Sequence, residues 1–248
     1  VYGYASVPDS KTLTVNPGAR IHFHKDSGII VQEGGTLNIA GEPSVTEDLE
    51  KEVIFEGDRL EYSFSETPGQ WGFIYLRQGS KNHSVNHLTL KNATIGIYAE
   101  NNFGTPLTIN NTQIYNSSVV GILGRFARID GFNVVINSRT RGVGALACTW
   151  GGTYNFTHST FNNQSSSSTQ YAVIIDNYFE EANGNKVAFE LTAANFTNCI
   201  IYGSNSRQFV LRKDNSKTFN YKFTNCLLKF NNSDSFYSQN PLYQFDDA

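Results

Sequence analysis

A chain of 248 residues, 39% hydrophobic and 17% charged, suits one large domain or two small ones. A net charge of −3 excludes a general nucleic-acid binder. Three cysteines exclude a disulfide scaffold, and 13% aromatic residues exclude a disordered chain. No stretch approaches the ~20 unbroken apolar residues of a membrane-spanning helix.

The apolar positions recur every second residue, the period of a strand. In chain order, Leu13-x-Val15 meets an Asn16-Pro17-Gly18 turn and resumes as Ile21-x-Phe23. Gly28-Ile29-Ile30-Val31 runs to Glu33-Gly34-Gly35, and Leu37-x-Ile39 ends at Gly41. An acidic insertion occupies about 42–52, and its helix-like part, 46–52, is too short for more than an exposed turn. Val53-Ile54-Phe55 follows, then a Pro-Gly-Gln-Trp-Gly turn at 68–72 and a strand at 73–76. Asn occurs 27 times, and Asn tolerates left-handed backbone angles that most residues avoid.

From residue 88 onward a frame repeats: apolar-x-apolar-x-Asn-x-x-apolar. It reads Leu88-x-Leu90-x-Asn92-x-x-Ile95, then Leu107-x-Ile109-x-Asn111-x-x-Ile114, then Ile129-x-Gly131-x-Asn133-x-x-Ile136. Tyr154-x-Phe156-x-His158-x-x-Phe161 substitutes His, and Ala194-x-Phe196-x-Asn198-x-x-Ile201 and Tyr221-x-Phe223-x-Asn225-x-x-Leu228 restore Asn. The anchors step by 19, 22, 25, 40 and 27 residues, within the ~20–50-residue period of solenoids. The step of 40 leaves room for an extra turn, with 172–176 as its strand. No helix is available for a βαβ crossover. The expected fold is therefore all-β: one domain over 1–248, a single-stranded right-handed parallel β-helix of pectin-lyase-like architecture. Coils would stack ~4.8 Å apart with Asn side chains bonded in vertical files. Cys199 and Cys226, one position past their anchors, should be small, buried, reduced fillers of another file.

The segments VYGYASVPDSKTLTVNPGARIHFHKDSGIIVQEGGTLNIAGE, VIFEGDRLE, PGQWGFIYLRQGSKN and NFTNCIIYGSN…FNYKFTNCLLKF resemble a family of right-handed parallel β-helix surface lipoproteins of Bacteroidota. The resemblance covers nearly the whole chain, with GDRLE and PGQWG its most specific parts. It implies export to the outer membrane or cell surface and an amino-terminal lipid anchor. It also implies a preceding β-domain and further coil residues after NPLYQFDDA. A start at Val1 in a chain without Met agrees with a trimmed piece. The family supplies no catalytic residues to carry over.

Chemistry is sparse. Glycoside hydrolysis needs two carboxylates ~5–5.5 or ~6.5–9.5 Å apart, and between Leu88 and Ile175 the acids are Glu100 and Asp130. Asp176 with Glu180 is a weak candidate pair. The acids of 42–66 could bind Ca2+ but read as a charged, exposed insertion. His22 and His24 share one side of a strand, and His83 and His87 flank another; all four read as outer-face positions. No catalytic residue, metal site or cofactor is expected. Binding chemistry is richer: Arg125, Arg128, Arg139 and Arg141 fall within seventeen residues. Guanidinium forks recognise carboxylate or sulfate. Trp71, Trp150 and Tyr178 offer flat faces for sugar rings. The expected molecule is a monomeric, non-catalytic envelope solenoid that binds a polysaccharide, an acidic one in particular, or scaffolds another envelope protein. The alternatives are a polysaccharide-active enzyme, either a glycoside hydrolase or a polysaccharide lyase, and a subunit of an outer-membrane assembly.

Overall fold

A computed structural model describes residues 1–102, 104–138, 143–165, 170–230 and 235–245. The strands form one 20-stranded sheet wound into a parallel β-helix, plus a two-stranded hairpin. Coil one is Tyr4–Val7, Thr12–Val15 and Arg20–Phe23; coil two is Gly28–Val31, Thr36–Ala40 and Val53–Gly57. Coil three is Trp71–Leu76, Ser84–Asn86 and Leu88–Lys91, and coil four is Ala93–Glu100 with Leu107–Tyr115. Coil five is the unbroken run Val120–Ser138; coil six is Gly144–Thr157 with Thr160–Asn163. Coil seven is Val173–Asp176, Leu191–Thr197 and Ile200–Gly203, and coil eight is Phe209–Arg212, Lys222–Thr224 and Leu227–Leu228. Each coil contributes one segment to each of three faces, and each segment pairs in parallel with its counterpart in the next coil.

Alternation turns one residue in two inward, and the inward files fill the bore. Phe156, Phe196 and Phe223 stack at 5.6 and 5.2 Å between ring centroids. Further up, Trp71 lies on Phe23 at 4.2 Å. The carboxyl end is closed by Tyr237 and Tyr243, both buried, with Phe230 and Phe245 around Phe209. Among the described residues no helix is long and apolar enough to cross a membrane.

Five of the six repeat frames stack as read: Leu107 pairs with Ile129, Ile129 with Tyr154, Tyr154 with Ala194, and Phe196 with Phe223. The first does not. Leu90 pairs with Ile114 and Asn110 with Asn86, so the residue beneath Asn111 is His87, not Asn92. The true frame is His83-x-Val85-x-His87-x-x-Leu90, with His83 in the slot that Leu107 fills one coil later. His83 is accordingly buried, not outer-face: it accepts from Leu37 N–H at Nδ1 (3.1 Å), and Nε2 lies 2.9 Å from Ser80 Oγ. Burial lowers its pKa to about 4, so it packs as a neutral ring.

The anchors are corners. His87, Asn111, Asn133, His158, Asn198 and Asn225 all have φ between 45° and 54°. One left-handed residue bends the strand from the second face to the third, and Asn accepts that angle best after Gly. Asn133, His158, Asn198 and Asn225 are exposed, so these corner side chains lie on the outside of the coils and not in the bore. Amide files do form, in separate pieces: Asn133 donates to Asn111 (2.9 Å), Asn162 to Asn137 (2.9 Å), and Asn195 to Asn155 (3.0 Å), which donates to Asp130 (2.7 Å). The step of 40 holds no extra coil. Instead the antiparallel hairpin Tyr178–Glu180/Lys186–Ala188 is inserted between the first and second faces of coil seven.

Candidate functional site

The outward side of the first face carries two neighbouring files. One holds Tyr75 and Tyr98, paired across coils three and four and stacked at 4.4 Å with planes 4° apart. The next file along holds Glu100, Arg125 and Thr149 in register, then Asp176 opposite Arg212. Tyr75 OH donates to Glu100. Burial first, then that bond, raises the Tyr75 pKa, so the phenol stays protonated.

Arg125 is the centre of this surface. Its Nη1 donates to Tyr98 OH at 3.1 Å, and its Cζ lies 5.3 Å from the Tyr98 ring centroid and 4.6 Å from that of Trp150. Glu100 stands opposite it in register but is engaged by Tyr75. Among the described residues Arg125 makes no ion pair. A guanidinium held between two aromatic faces keeps its charge and several N–H donors for something outside the chain.

Trp150 forms the wall beyond it. It sits at a corner with φ 60°, as Phe126 does one coil earlier with φ 46°. Bulky side chains rarely adopt that region, and packing must hold them there. Phe179 of the hairpin lies 4.6 Å from the Trp150 ring, and Phe189 lies 6.2 Å from it and 5.1 Å from Phe126. Trp150 N–H donates to Asp176 Oδ1 at 2.8 Å. Burial raises the Asp176 pKa to about 6 against the pull of that bond, Arg212 and Arg125.

Toward the amino-terminal coils the same face opens into a cleft of about 480 Å³ lined by Asp9, Gln32, Glu33, Arg77, Gln78 and Glu100. Arg77 there donates to Gln32 Oε1 at 2.7 Å. The surface thus runs from an acidic cleft, past paired tyrosines, to a cation backed by Trp150.

Of the residues singled out from sequence, Arg125 and Trp150 come together. Trp71 does not join them: it is 1% exposed, stacks on Phe23, and donates Nε1–H to Lys91 O at 2.8 Å. It is a core residue and cannot meet a sugar. Arg128 projects from the second face, around the Phe126 corner from Arg125, so these two do not share a flank. Arg139 and Arg141 lie outside the described residues. Tyr178 is covered by Lys186, with Nζ 4.3 Å from the ring centroid. Its neighbour Phe179, on the other side of the hairpin strand, is the one that meets Trp150. Tyr75, Tyr98 and Asp176 complete the site, and the signal for the tyrosines was their place two residues before the outward charges Arg77 and Glu100.

Elsewhere the histidines acquire partners. His24 Nδ1 lies 2.7 Å from Asp58 Oδ2, and His22 Nδ1 lies 3.6 Å from Glu56 Oε1, one coil away. Among the described residues, no group of three His, Cys, Asp or Glu is placed to hold a metal ion. The acidic insertion is tied down by Arg20, which donates to the carbonyls of Asp48, Leu49 and Glu52 at 2.8–3.0 Å. Glu180 is exposed on the hairpin, 3.9 Å from Lys186, in surroundings unlike those of Asp176.

No described protein family matches the sequence. No curated protein matches it either. Among solved structures, the surface protein and adhesin PfbA of Streptococcus pneumoniae aligns over 89% of this chain and 91% of its own, at 10% identity and a TM-score of 0.22.

Proposed function

We propose that this solenoid is a non-catalytic, exported binding module of the cell surface whose first face holds an extended acidic glycan. The carrying observation is Arg125: a guanidinium clamped between Tyr98 and Trp150 that makes no ion pair among the described residues. A uronate or sulfate group would take its free N–H donors, and adjacent sugar rings would lie on the exposed edges of Tyr98 and Trp150. Coils four to six, which carry these residues, span about 10 Å at ~4.8 Å per coil, enough for a short oligosaccharide.

The same file argues against hydrolysis. Glu100 and Asp176 are three coils apart, about 14 Å, beyond the ~9.5 Å limit for a carboxylate pair. The coil neighbours of Asp176 in this file are Thr149 and Arg212. Asp176, buried and with a raised pKa, nonetheless favours a polysaccharide-active enzyme as the second reading.

A glycan array at low and moderate salt tests the first reading, followed by titration of the best acidic hit. Arg125→Gln should lower affinity about 10–100-fold for uronate or sulfated chains, the worth of a charge-assisted pair. Equal binding of neutral chains, or of the variant, removes the proposal. New reducing ends that vanish in Asp176→Asn would establish the enzyme instead.

A further inference from the structure

Independently of any ligand, we infer that Cys199 and Cys226 are a disulfide-forming pair that can tie coil seven to coil eight. Thr197 pairs with Thr224 and Ile200 with Leu227, so the two cysteines stand opposite each other in adjacent coils. The coil spacing of ~4.8 Å lies inside the 4.4–6.8 Å Cα range of disulfides. Each follows a left-handed Asn, with φ 54° at Asn198 and 53° at Asn225, so both side chains leave the corner alike. The sulfur contacts show it: Cys199 Sγ donates to Thr197 O at 3.3 Å and Cys226 Sγ to Thr224 O at 3.4 Å. Cys226 Sγ also reaches back to Phe196 O at 3.3 Å, a carbonyl of the coil that holds Cys199. In coils four and six Thr112 and Ser159 hold this position and make the same bond two residues back, at 2.8 and 3.0 Å, while Leu88 and Val134 hold it in coils three and five. Among the described coils only the last two carry thiols in this file, and thiols alone can be joined by oxidation.

Access and order follow from burial. Cys199 is buried, whereas Cys226 is half-buried in the last described coil. Interaction between the two thiols lowers the Cys226 pKa and, together with burial, raises that of Cys199, so Cys226 is the more readily ionised of the pair. The Cys226 thiolate attacks one sulfur of a small disulfide such as oxidised glutathione, and one glutathione thiolate leaves. Cys199 then loses its proton to solvent and attacks the Cys226 sulfur, expelling the second glutathione. Two protein thiols are oxidised by two electrons, and the reagent disulfide is reduced to two thiols. Cys148 serves as the internal control: it is buried on the first face, where Gly124 and Ile175 are its coil neighbours.

The native protein is equilibrated with oxidised glutathione, and its intact mass, linked peptides and melting temperature are read. The expected product has lost two hydrogens, joins the peptides of Cys199 and Cys226, and leaves Cys148 a thiol. Its melting temperature should rise by roughly 5–10 °C, since a closed loop between these positions constrains the unfolded chain. Cys226→Ser should fold with the melting temperature of the reduced protein and show no rise. A stable glutathione adduct on Cys226, or two thiols still free for alkylation, would overturn the inference.

Discussion

Coils one and two turn from the second face to the third on loops: Asn16-Pro17-Gly18-Ala19 in the first, and the arginine-stapled acidic insertion in the second. From coil three onward the same corner turns on a single left-handed His or Asn. A loop corner absorbs additional residues because neither strand depends on the loop for its register. A one-residue corner has no slack: its φ, the inward filler after it and the amide contacts to the next coil are set together. Insertions accordingly fall at 42–52, 58–70 and 178–188 and spare these one-residue corners.

Substitutions at four positions press on this contrast. Phe196→Ala removes the middle ring of the Phe156–Phe196–Phe223 file and should cost about 3–5 kcal/mol, read by denaturant unfolding. A loss under 1 kcal/mol would mean the later coils do not rely on their bore.

Gly18→Ala tests the loop corner. Gly18 has φ 77°, and a Cβ there would meet Glu50 O at 2.5 Å. About 2–3 kcal/mol is expected, since the left-handed cost adds to a backbone clash with the insertion. Deleting the insertion should relieve part of it; an unchanged penalty would show that the corner, not its neighbour, sets the strain.

At Asn111 two variants separate backbone from amide. Asn111→Ala should cost about 1–2 kcal/mol, and Asn111→Gly about half that, because Gly keeps φ 48° while losing the 2.9 Å bond from Asn133. Equal penalties would assign the corner to the amide file alone.

The last effect depends on pH and concerns Asp176 beside the Trp150 corner. Its folded pKa of about 6 lies above the ~3.9 of an unfolded Asp, so the folded state holds the proton more tightly. The stability this contributes is complete below pH ~4 and is lost as pH rises through 6. Asp176→Asn should match the wild type in unfolding free energy near pH 4 and exceed it at pH 8 by up to about 2 kcal/mol, read by denaturant unfolding at both pH values. A difference independent of pH would contradict the buried carboxyl.

Much of the architecture could be read from residues alone because inward positions repeat at a constant offset from a corner that only a few residue types tolerate. A polar residue in an apolar slot hides one coil: His83 disguises coil three, whose corner is His87, five positions before Asn92. The site was harder to read. Arg125 and Trp150 are 25 positions apart, and what unites them is coil registration, visible only once every coil is counted correctly. Trp71 and Trp150 both precede Gly, yet one enters the bore and the other the rim. Which side of a strand a residue takes depends on the corner before it, and the difference between Tyr178 and Phe179 is a single step of that alternation.

The wall behind Trp150 is borrowed: Phe179 belongs to a hairpin that interrupts coil seven without altering how Val173–Asp176 and Leu191–Thr197 pair with coil six. Recognition and scaffolding are therefore separable in this molecule. A longer, shorter or differently decorated hairpin could change what the surface accepts while leaving every coil in place, and grafting at that corner is a natural route to new specificity.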